Sequence, residues 1–387
     1  MSRKFPRYAL LSIVLFLHGC FTPRPPQPPT KPVTPSVLYE AVAWDGVDGW
    51  KDDQVQESWG AFLNSCKAIA ARPDWTRVCT AAQTSSGTRQ FFEANFTPYR
   101  IVQTDGQTNI DSGLITGYYE PLLHGSRQPS AAFPVALYAP PDDLLTVELG
   151  DLYPELAGKR VRGRVQGKKV VPYYTRGELS GQAVLKGKEL VWVDNAVDAF
   201  FLEVQGTGRV QLTDGTTIRI AYADQNGQPY RSIGRYLVDH GEMTLDQASA
   251  QQIRSWVAAH PDRKQEVLNA NPSVVFFREE QIAESDPGPK GALAVPLTAG
   301  RSLAVDPQFV PLGAPVFLAT TQPESAEPLR RLVLAQDTGG AIRGINRGDL
   351  FWGSGPAAGD SAGRMKQRGR MWLLWPKGVP LPVSRLQ

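Results

Sequence analysis

The chain has 387 residues, of which 42% are hydrophobic and 20% charged, and its formal net charge is +3. These proportions are typical of a globular protein and exclude a disordered or collagen-like chain. The small positive excess is spread along the sequence without a long basic run, so nucleic-acid binding is not expected.

The N-terminus has the pattern of an export signal. Three basic side chains among the first seven residues precede an apolar run over residues 8–17, which is too short to span a bilayer. The run ends in a segment that resembles a bacterial lipoprotein box, although His18 replaces the small residue usual there. Residues 1–19 are therefore predicted to be a signal peptide, and Cys20 a lipidated first residue of the mature protein. An ordinary cleaved signal followed by a chance cysteine is the alternative.

A proline-rich segment, residues 20–37, follows the predicted lipidation site. It contains too few apolar residues to form a core, so we predict an extended tether between the lipid and the folded part. Phe21, and not Asp, follows Cys20, which favours the outer membrane over the inner one. The expected location is the periplasmic face of the outer membrane of a Gram-negative bacterium, with anchoring through the lipid.

Two helices and a disulfide are predicted next. Asp53 and Gln56 resemble a helix cap, and apolar residues then recur at helical spacing over residues 59–69. A second helix is predicted around residues 75–79. In an exported chain, Cys66 and Cys79 favour a disulfide between these helices, with two buried thiols as the alternative. The four histidines form no spaced ligand cluster with the cysteines, so no metal is expected.

After about residue 97 the sequence pattern changes to short apolar or alternating runs separated by turns, which predicts short strands. The predicted strands up to residue 222 are 114–119, 170–174, 189–193, 199–212 and 217–222. Asp214-Gly215 predicts a hairpin turn. Gly206 and Gly208 would mark a bulge, a close backbone approach or a ligand lying across their strand.

Helices return between residues 231 and 270, where Gly241 is predicted to end one helix. Residues 244–247 form a capping box ahead of a second helix, which Pro261 terminates. The last hundred residues are predicted to return to strands, at 274–277, 292–296, 315–319, 332–335 and 371–375. Together these elements predict a mainly β fold with flanking helices.

Three aspartates stand out in the C-terminal part. Asp337 and Asp349 lie among glycines after an apolar run, close to an aromatic pair, which is a setting that raises the pKa of a general acid. Asp306 precedes a proline. Capping of a turn is the alternative for each of them. Asp337 also begins an aspartic-protease triplet, for which Asp111 would be the required partner.

A serine-hydrolase motif is present at residues 359–363, with Ser361 at its centre. Such an elbow needs a strand before it, a helix after it and a later histidine. No histidine follows His260, which closes a predicted helix. A turn of small residues is the favoured interpretation.

Seven ordered blocks, spread over about residues 110–375, make the chain similar to the membrane-bound lytic murein transglycosylase A family. The blocks are residues 116–121, 201–208, 230–234, 271–277, 291–296, 304–313 and 336–355. The resemblance implies a double-psi β-barrel domain, an inserted second β-barrel domain and a groove between them for a glycan strand. The implied parts are a helical N-terminal part at 38–121, an insert at 122–285, with the helices at 231–270 belonging to either domain, and a C-terminal 3D domain at 286–387.

The family cleaves the β-1,4 bond between N-acetylmuramic acid and N-acetylglucosamine without water, leaving a 1,6-anhydromuramoyl end. By its motif the catalytic acid and base is Asp349, supported by Asp337 and Asp306. No cofactor is implied, and the implied partners are peptidoglycan glycan strands and enzymes of wall synthesis or hydrolysis. A non-catalytic peptidoglycan-binding scaffold and a serine hydrolase are the alternatives. The expected substrate-binding residues are Thr116, Tyr118, Gln205, Gly206 and Tyr222.

Overall fold

The computed structural model describes residues 36–104, 106–153, 156, 161–245, 247–282 and 288–382. The predicted signal peptide, Cys20 and most of the predicted tether therefore lie outside the described residues. In the part of the chain that is described, no helix has the length and apolar character to cross a membrane.

Strands dominate the described residues, which contain 18 strands and nine α-helices, so the prediction of a mainly β fold with flanking helices is confirmed. The strands are β1 (Ser36–Ala41), β2 (Phe96–Thr104), β3 (Asn109–Ile110), β4 (Ser112–Glu120), β5 (Leu122–Ser126), β6 (Val135–Tyr138), β7 (Leu145–Val147), β8 (Val161–Gln166), β9 (Lys169–Pro172), β10 (Glu189–Val193), β11 (Thr207–Leu212), β12 (Thr217–Gln225), β13 (Val275–Gln281), β14 (Ser302–Val305), β15 (Pro315–Thr321), β16 (Pro328–Asp337), β17 (Gly348–Ser354) and β18 (Lys366–Pro376). The helices are α1 (Trp59–Ile69), α2 (Pro73–Ala82), α3 (Arg89–Asn95), α4 (Arg176–Leu179), α5 (Ala196–Gln205), α6 (Ile233–Asp239), α7 (Ala250–Ala259), α8 (Lys264–Asn269) and α9 (Pro356–Arg364).

The first sheet has nine strands, and six of them close into a ring. The pairing order is β18, β15, β16, β14, β17 and β4, and β4 pairs again with β18. Closure leaves these strands without a free edge, which is the defining property of a barrel. Strands β2, β1 and β3 extend the sheet outward from β18. The double-psi connectivity within the ring stays a prediction.

Apolar side chains of the barrel strands form a buried core. All four residues of β14 are buried, as are the first six of β15. Helices α1, α2 and α3 contribute further apolar side chains to the same core, including Phe62, Trp75 and Phe92. The structure joins Cys66 in α1 to Cys79 in α2 by a disulfide, so the two predicted helices are linked covalently as well as by packing.

The capping role predicted for Asp53 is wrong. Asp53 is buried, and both of its carboxylate oxygens accept hydrogen bonds from Arg301 at 3.0 Å. The backbone N–H of Leu332 also donates to it, at 2.7 Å. Helix α1 starts after Ser58 without a side-chain cap. Asp53 thus neutralises a buried arginine from a distant part of the chain, a partner that local sequence spacing does not reveal.

A second sheet contains six strands in the order β13, β12, β11, β5, β10 and β6, and a third contains β7, β8 and β9. The predicted hairpin turn at Asp214-Gly215 joins β11 to β12 and is confirmed. That the second sheet forms a barrel of its own stays a prediction.

The strand predicted over residues 199–212 is wrong in its first half. Helix α5 occupies Ala196–Gln205, and only Thr207–Leu212 form a strand. Asn195 caps the helix by accepting hydrogen bonds from two backbone N–H groups, and Gly206 ends it with a φ of 80°. A left-handed glycine after the last helical residue is a common helix stop. Gly206 is therefore a helix cap and not a strand bulge.

Two further sequence predictions fail locally. Residues 292–296 form no strand; instead, Ala294 has a φ of 61° within a turn. Helix α7 begins at Ala250 under a Ser249 cap, later than the capping box at residues 244–247 predicts. In that box, Gln247 accepts a hydrogen bond from the Thr244 N–H without starting a helix.

Candidate active site

A row of adjacent residues crosses the barrel and brings together two of the predicted aspartates. Ala304 on the central strand β14 pairs with Asp337 of β16 on one side and with Asp349 of β17 on the other. Asp349 in turn pairs with Thr116 of β4. Two strand spacings of about 4.8 Å therefore separate the backbones of the two aspartates.

Asp349 is half-buried and is held by one hydrogen bond. The Thr116 hydroxyl donates to its Oδ1 at 2.6 Å. Burial raises the pKa of Asp349 to about 6, although the Thr116 hydrogen bond and the positive charge of Arg347 oppose the rise. The negative charge of Asp337 adds to it. A carboxyl with this pKa is partly protonated near neutral pH, as a general acid requires.

Arg347 lies two residues before Asp349 and is half-buried. Its guanidinium donates to the backbone carbonyl groups of Leu114 and Gly348. Burial lowers the pKa of Arg347, while the charge of Asp349 raises it. Because Arg347 is anchored to backbone carbonyls, its charge is fixed close to Asp349. Arg347 was not among the site residues predicted from the sequence.

Asp337 is built differently from Asp349. Its Oδ1 accepts the backbone N–H groups of Ala292 and Thr338 at 2.8 Å each, and its Oδ2 accepts the Tyr118 hydroxyl at 3.0 Å. Burial raises the pKa of Asp337, and these three donors oppose the rise. In these three contacts the oxygens of Asp337 act only as hydrogen-bond acceptors, so the carboxyl group is held in one position.

Asp306 is buried at the end of β14 and organises two turns. Its Oδ1 accepts the Gln308 N–H at 3.1 Å, and its Oδ2 accepts the Gly344 N–H at 2.7 Å. The second bond ties Asp306 to the loop between β16 and β17. That loop connects the strand of Asp337 to the strand of Asp349.

Tyr118 forms the apolar floor beside the two aspartates. Its ring packs with Ala304 and Phe351 in a small buried cluster, and the ring centroids of Tyr118 and Phe351 are 5.2 Å apart. Burial first, and then the negative charges of Asp337 and Asp349, raise the pKa of Tyr118 well above its usual value. The Tyr118 hydroxyl therefore stays protonated and remains a hydrogen-bond donor.

Gln205 is placed next to β4 by the end of helix α5. Its Oε1 accepts the backbone N–H of Tyr119 at 3.0 Å. Gly206 follows directly as the helix cap. Tyr222 lies farther along the second sheet in β12, opposite Phe277. The predicted roles of these residues in substrate binding stay predictions.

Glu120 connects the first and second sheets and was not among the site residues predicted from the sequence. Its side chain is fully buried at the end of β4, where it pairs with Arg219 of β12 at 2.5 Å and with Arg209 of β11 at 2.8 Å. The Ser354 hydroxyl, from the end of β17, donates to Glu120 at 2.6 Å. Thr116 and Glu120 share strand β4, so this charged cluster fixes the second sheet near Asp349.

The alternative catalytic motifs do not form the geometry that they need. Ser361 lies inside helix α9, where its hydroxyl donates to the Ala357 carbonyl, so neither a nucleophile elbow nor the predicted small-residue turn is present. Asp111 forms an ion pair with Arg100 at 3.6 Å, while Asp337 is held by Tyr118 and backbone groups. Within the described ranges, no group of three or more His, Cys, Asp or Glu side chains could hold a metal ion.

Comparison with known proteins identifies the family. Residues 114–278 match the model of the MltA specific insert domain, and residues 301–375 match the model of the 3D domain. The membrane-bound lytic murein transglycosylase A of Escherichia coli K12 is 32% identical over 279 residues, which are 70% of this chain and 68% of that protein. The chain belongs to the membrane-bound lytic murein transglycosylase A family.

Solved structures of family members agree with this assignment. MltA from Neisseria gonorrhoeae is 36% identical and superposes with a TM-score of 0.77, covering 94% of this chain and 99% of that one. MltA from E. coli with bound chitohexaose is 26% identical, with a TM-score of 0.63 over 88% of this chain and 91% of that one. The resemblance stated from the sequence is thus confirmed.

Proposed function

We propose that Asp349 is the only general acid and base of this lytic transglycosylase, and that its substrate is the glycan strand of murein. The observation that carries the proposal is the position of Asp349 in the row with Thr116 and Asp337, where burial raises its pKa to about 6. Its one hydrogen-bonded side-chain neighbour, Thr116, is uncharged. The bound chitohexaose of the E. coli relative supports a glycan as the ligand.

A single carboxyl suffices because the sugar supplies its own nucleophile. Asp349 donates its proton to the glycosidic O4, and the bond from C1 of N-acetylmuramic acid to O4 breaks. The C6 hydroxyl of the same sugar then attacks C1, and its proton passes to Asp349. The C1–O6 bond replaces the C1–O4 bond, no water is consumed, and Asp349 ends protonated. A hydrolase would instead need a second carboxyl to activate water.

The neighbours of Asp349 have supporting roles in this proposal. The fixed negative charge of Asp337 helps to keep Asp349 protonated. Asp306 holds the loop that joins their strands. The remaining predicted substrate-binding residues would line the groove from both sheets; they are Thr116, Tyr118, Gln205, Gly206 and Tyr222.

The membrane-bound relatives support association of this protein with a membrane. We propose that a lipid on Cys20 anchors it to the outer membrane on the periplasmic side, with residues 20–37 as the tether after a signal peptide at 1–19. Wall-synthesis or wall-hydrolysis enzymes are proposed protein partners. The proposed parts of the folded chain remain 38–121, 122–285 and 286–387.

Mass spectrometry of digested sacculi tests the reaction. We expect the purified protein to release muropeptides that are lighter by one water than the products of lysozyme, because O6 and not water attacks C1. Hydrated reducing ends would indicate a hydrolase and contradict the proposal. Glycan binding without any product would favour the non-catalytic scaffold.

The pH dependence of the reaction tests the role of the Asp349 proton. Because Asp349 must start protonated, activity is expected to fall as the pH rises through about 6. The Thr116 hydrogen bond lowers the pKa of Asp349, so Thr116→Val should raise that pKa and move the fall in activity to higher pH. Rate measurements across pH compare this variant with Thr80→Val, whose hydroxyl bonds only within helix α2. A shift to lower pH, or none, would contradict the assignment.

A further inference from the structure

The row of residues that contains Asp349 continues onto the start of strand β18, where Lys366 and Arg368 form the pair of cations that we call the basic edge. In the antiparallel pairing of β4 with β18, Lys366 lies opposite Thr116, and Arg368 lies opposite Leu114. Directly opposed residues of a sheet project from the same face. Lys366 and Arg368 therefore project from the face that carries Thr116 and Asp349.

Both cations are available to a ligand. Lys366 and Arg368 are exposed, and in the part of the chain that the structure describes neither forms an ion pair. Arg368 donates to the Ser112 hydroxyl at 2.9 Å, which orients its guanidinium without neutralising it. By contrast, Arg370, two residues farther along β18, is paired with Asp48 at 2.9 Å.

Arg368 also lines a cleft whose lining includes neither Asp349 nor Thr116. The cleft has a volume of about 480 Å³. Its lining includes Asp111, Ser112, Thr320, Arg330, Arg368 and Arg370. Two of its lining cations, Arg330 and Arg370, are paired with Asp48, whereas Arg368 forms no ion pair with a described residue and can therefore meet a ligand carboxylate.

Distance separates this basic edge from the bond that is cleaved. Lys366 is two strands from Asp349, or about 10 Å at strand spacings of about 4.8 Å. A neutral N-acetyl sugar gives a lysine at that distance no charge to bind. The peptide stem of murein carries charges that Lys366 can bind. It is attached to the muramic acid through the lactyl group at C3, and its free carboxylates and amino group lie several atoms farther from the sugar.

We infer that Lys366 and Arg368 bind the carboxylates of the peptide stem, so that the enzyme prefers glycan strands that keep their stems. This inference rests on the proposed function, since it takes Asp349 as the point where the glycan is cleaved. Leu114, which is 42% exposed between Arg347 and Arg368, provides an apolar contact for the stem at the same edge. Lys366 and Arg368 are thus specificity-determining residues.

Binding to an inactive protein tests the inference separately from catalysis. In an Asp349→Asn background, Lys366→Gln/Arg368→Gln should raise the Kd for soluble stem-bearing strands about fivefold to tenfold, as expected for two exposed ion pairs. The Kd for strands stripped by an amidase, which keep only the lactyl carboxylate, should not change. High salt should abolish the preference, since exposed charges are then screened.

The matched control removes two exposed lysines at the β8–β9 turn, through Lys168→Gln/Lys169→Gln, and should leave both Kd values unchanged. If the Lys366→Gln/Arg368→Gln change raises the Kd for stripped strands equally, the lactyl carboxylate is the group bound, and the inference is overturned. If the control change raises the Kd as well, the effect is a general charge attraction, and the inference is overturned too. An unchanged Kd for stem-bearing strands would overturn it too.

A second measurement uses the active enzyme. The Lys366→Gln/Arg368→Gln change in the otherwise native chain should raise KM for stem-bearing strands and leave kcat unchanged. If the native protein forms anhydro ends but shows no preference for stem-bearing strands, this inference is wrong and the proposed function stands. Failure of the native protein to form anhydro ends removes the proposed function, while the binding comparison still decides the role of the basic edge.

Discussion

Replacing Asp349 by Asn is expected to lower the release of anhydro-muropeptides by about four orders of magnitude, the upper range for loss of a general acid and base. Both proton transfers depend on this side chain in the proposed mechanism, so no second carboxyl compensates. The fold should be unaffected, because an Asn oxygen can accept the Thr116 hydrogen bond in the same position. Product release from sacculi and glycan binding measure the two effects separately.

Asp360→Asn is the matched control for this variant. Asp360 is exposed on helix α9 and accepts a hydrogen bond only from Gln251 at 3.3 Å. The same chemical change there should leave activity at the native level. Native-like release by Asp349→Asn would exclude Asp349 from the chemistry, and loss of glycan binding together with the fold would leave the test to the pH profile.

The sequence was sufficient for elements whose signal is local. Runs such as residues 189–193 and 315–319 are apolar because a strand of the core must be buried, and the structure places strands there. Helix α5 shows the limit of that argument. Its apolar residues resemble those of a buried strand. The helix is indicated only by its two ends, where Asn195 caps the start and Gly206 ends the last turn.

Partners that are distant in the chain could not be predicted from spacing. The position of Asp53 near the start of a helix predicts a helix cap. In the structure its carboxylate instead neutralises Arg301, which lies 248 residues away in sequence. A buried arginine without a partner is so costly that tertiary pairing outweighs capping. Glu120 was missed for the same reason, since Arg219 becomes its neighbour only when the two sheets meet.

The candidate site was only partly readable from the sequence. Asp337 and Asp349 were found through their glycine-rich setting, but their different environments depend on which neighbours the barrel supplies. Asp337 receives three hydrogen-bond donors and Asp349 receives one. That difference supports the proposed roles, in which Asp337 is held in place and Asp349 exchanges a proton.

Glu120→Gln is expected to destabilise the folded protein by about 3 kcal/mol, because it removes the negative charge that pairs with the buried guanidinium of Arg219 and with Arg209. The side chain of Glu120 is 0% exposed and that of Arg219 is 5% exposed, so solvent does not replace the lost charge. Chemical denaturation measures the change in the free energy of unfolding. Reduced activity below the denaturation midpoint would show that the second sheet has shifted relative to β4.

Glu279→Gln provides the comparison for this prediction. Glu279 also forms a paired hydrogen bond with an arginine, Arg127, at 2.5 and 2.7 Å, but the two side chains are 24% and 44% exposed. Solvent screens this pair, so its loss should cost about 1 kcal/mol or less. If both variants lose the same stability, burial does not set the strength of the Glu120 cluster, and its role in fixing the two sheets would have to be abandoned.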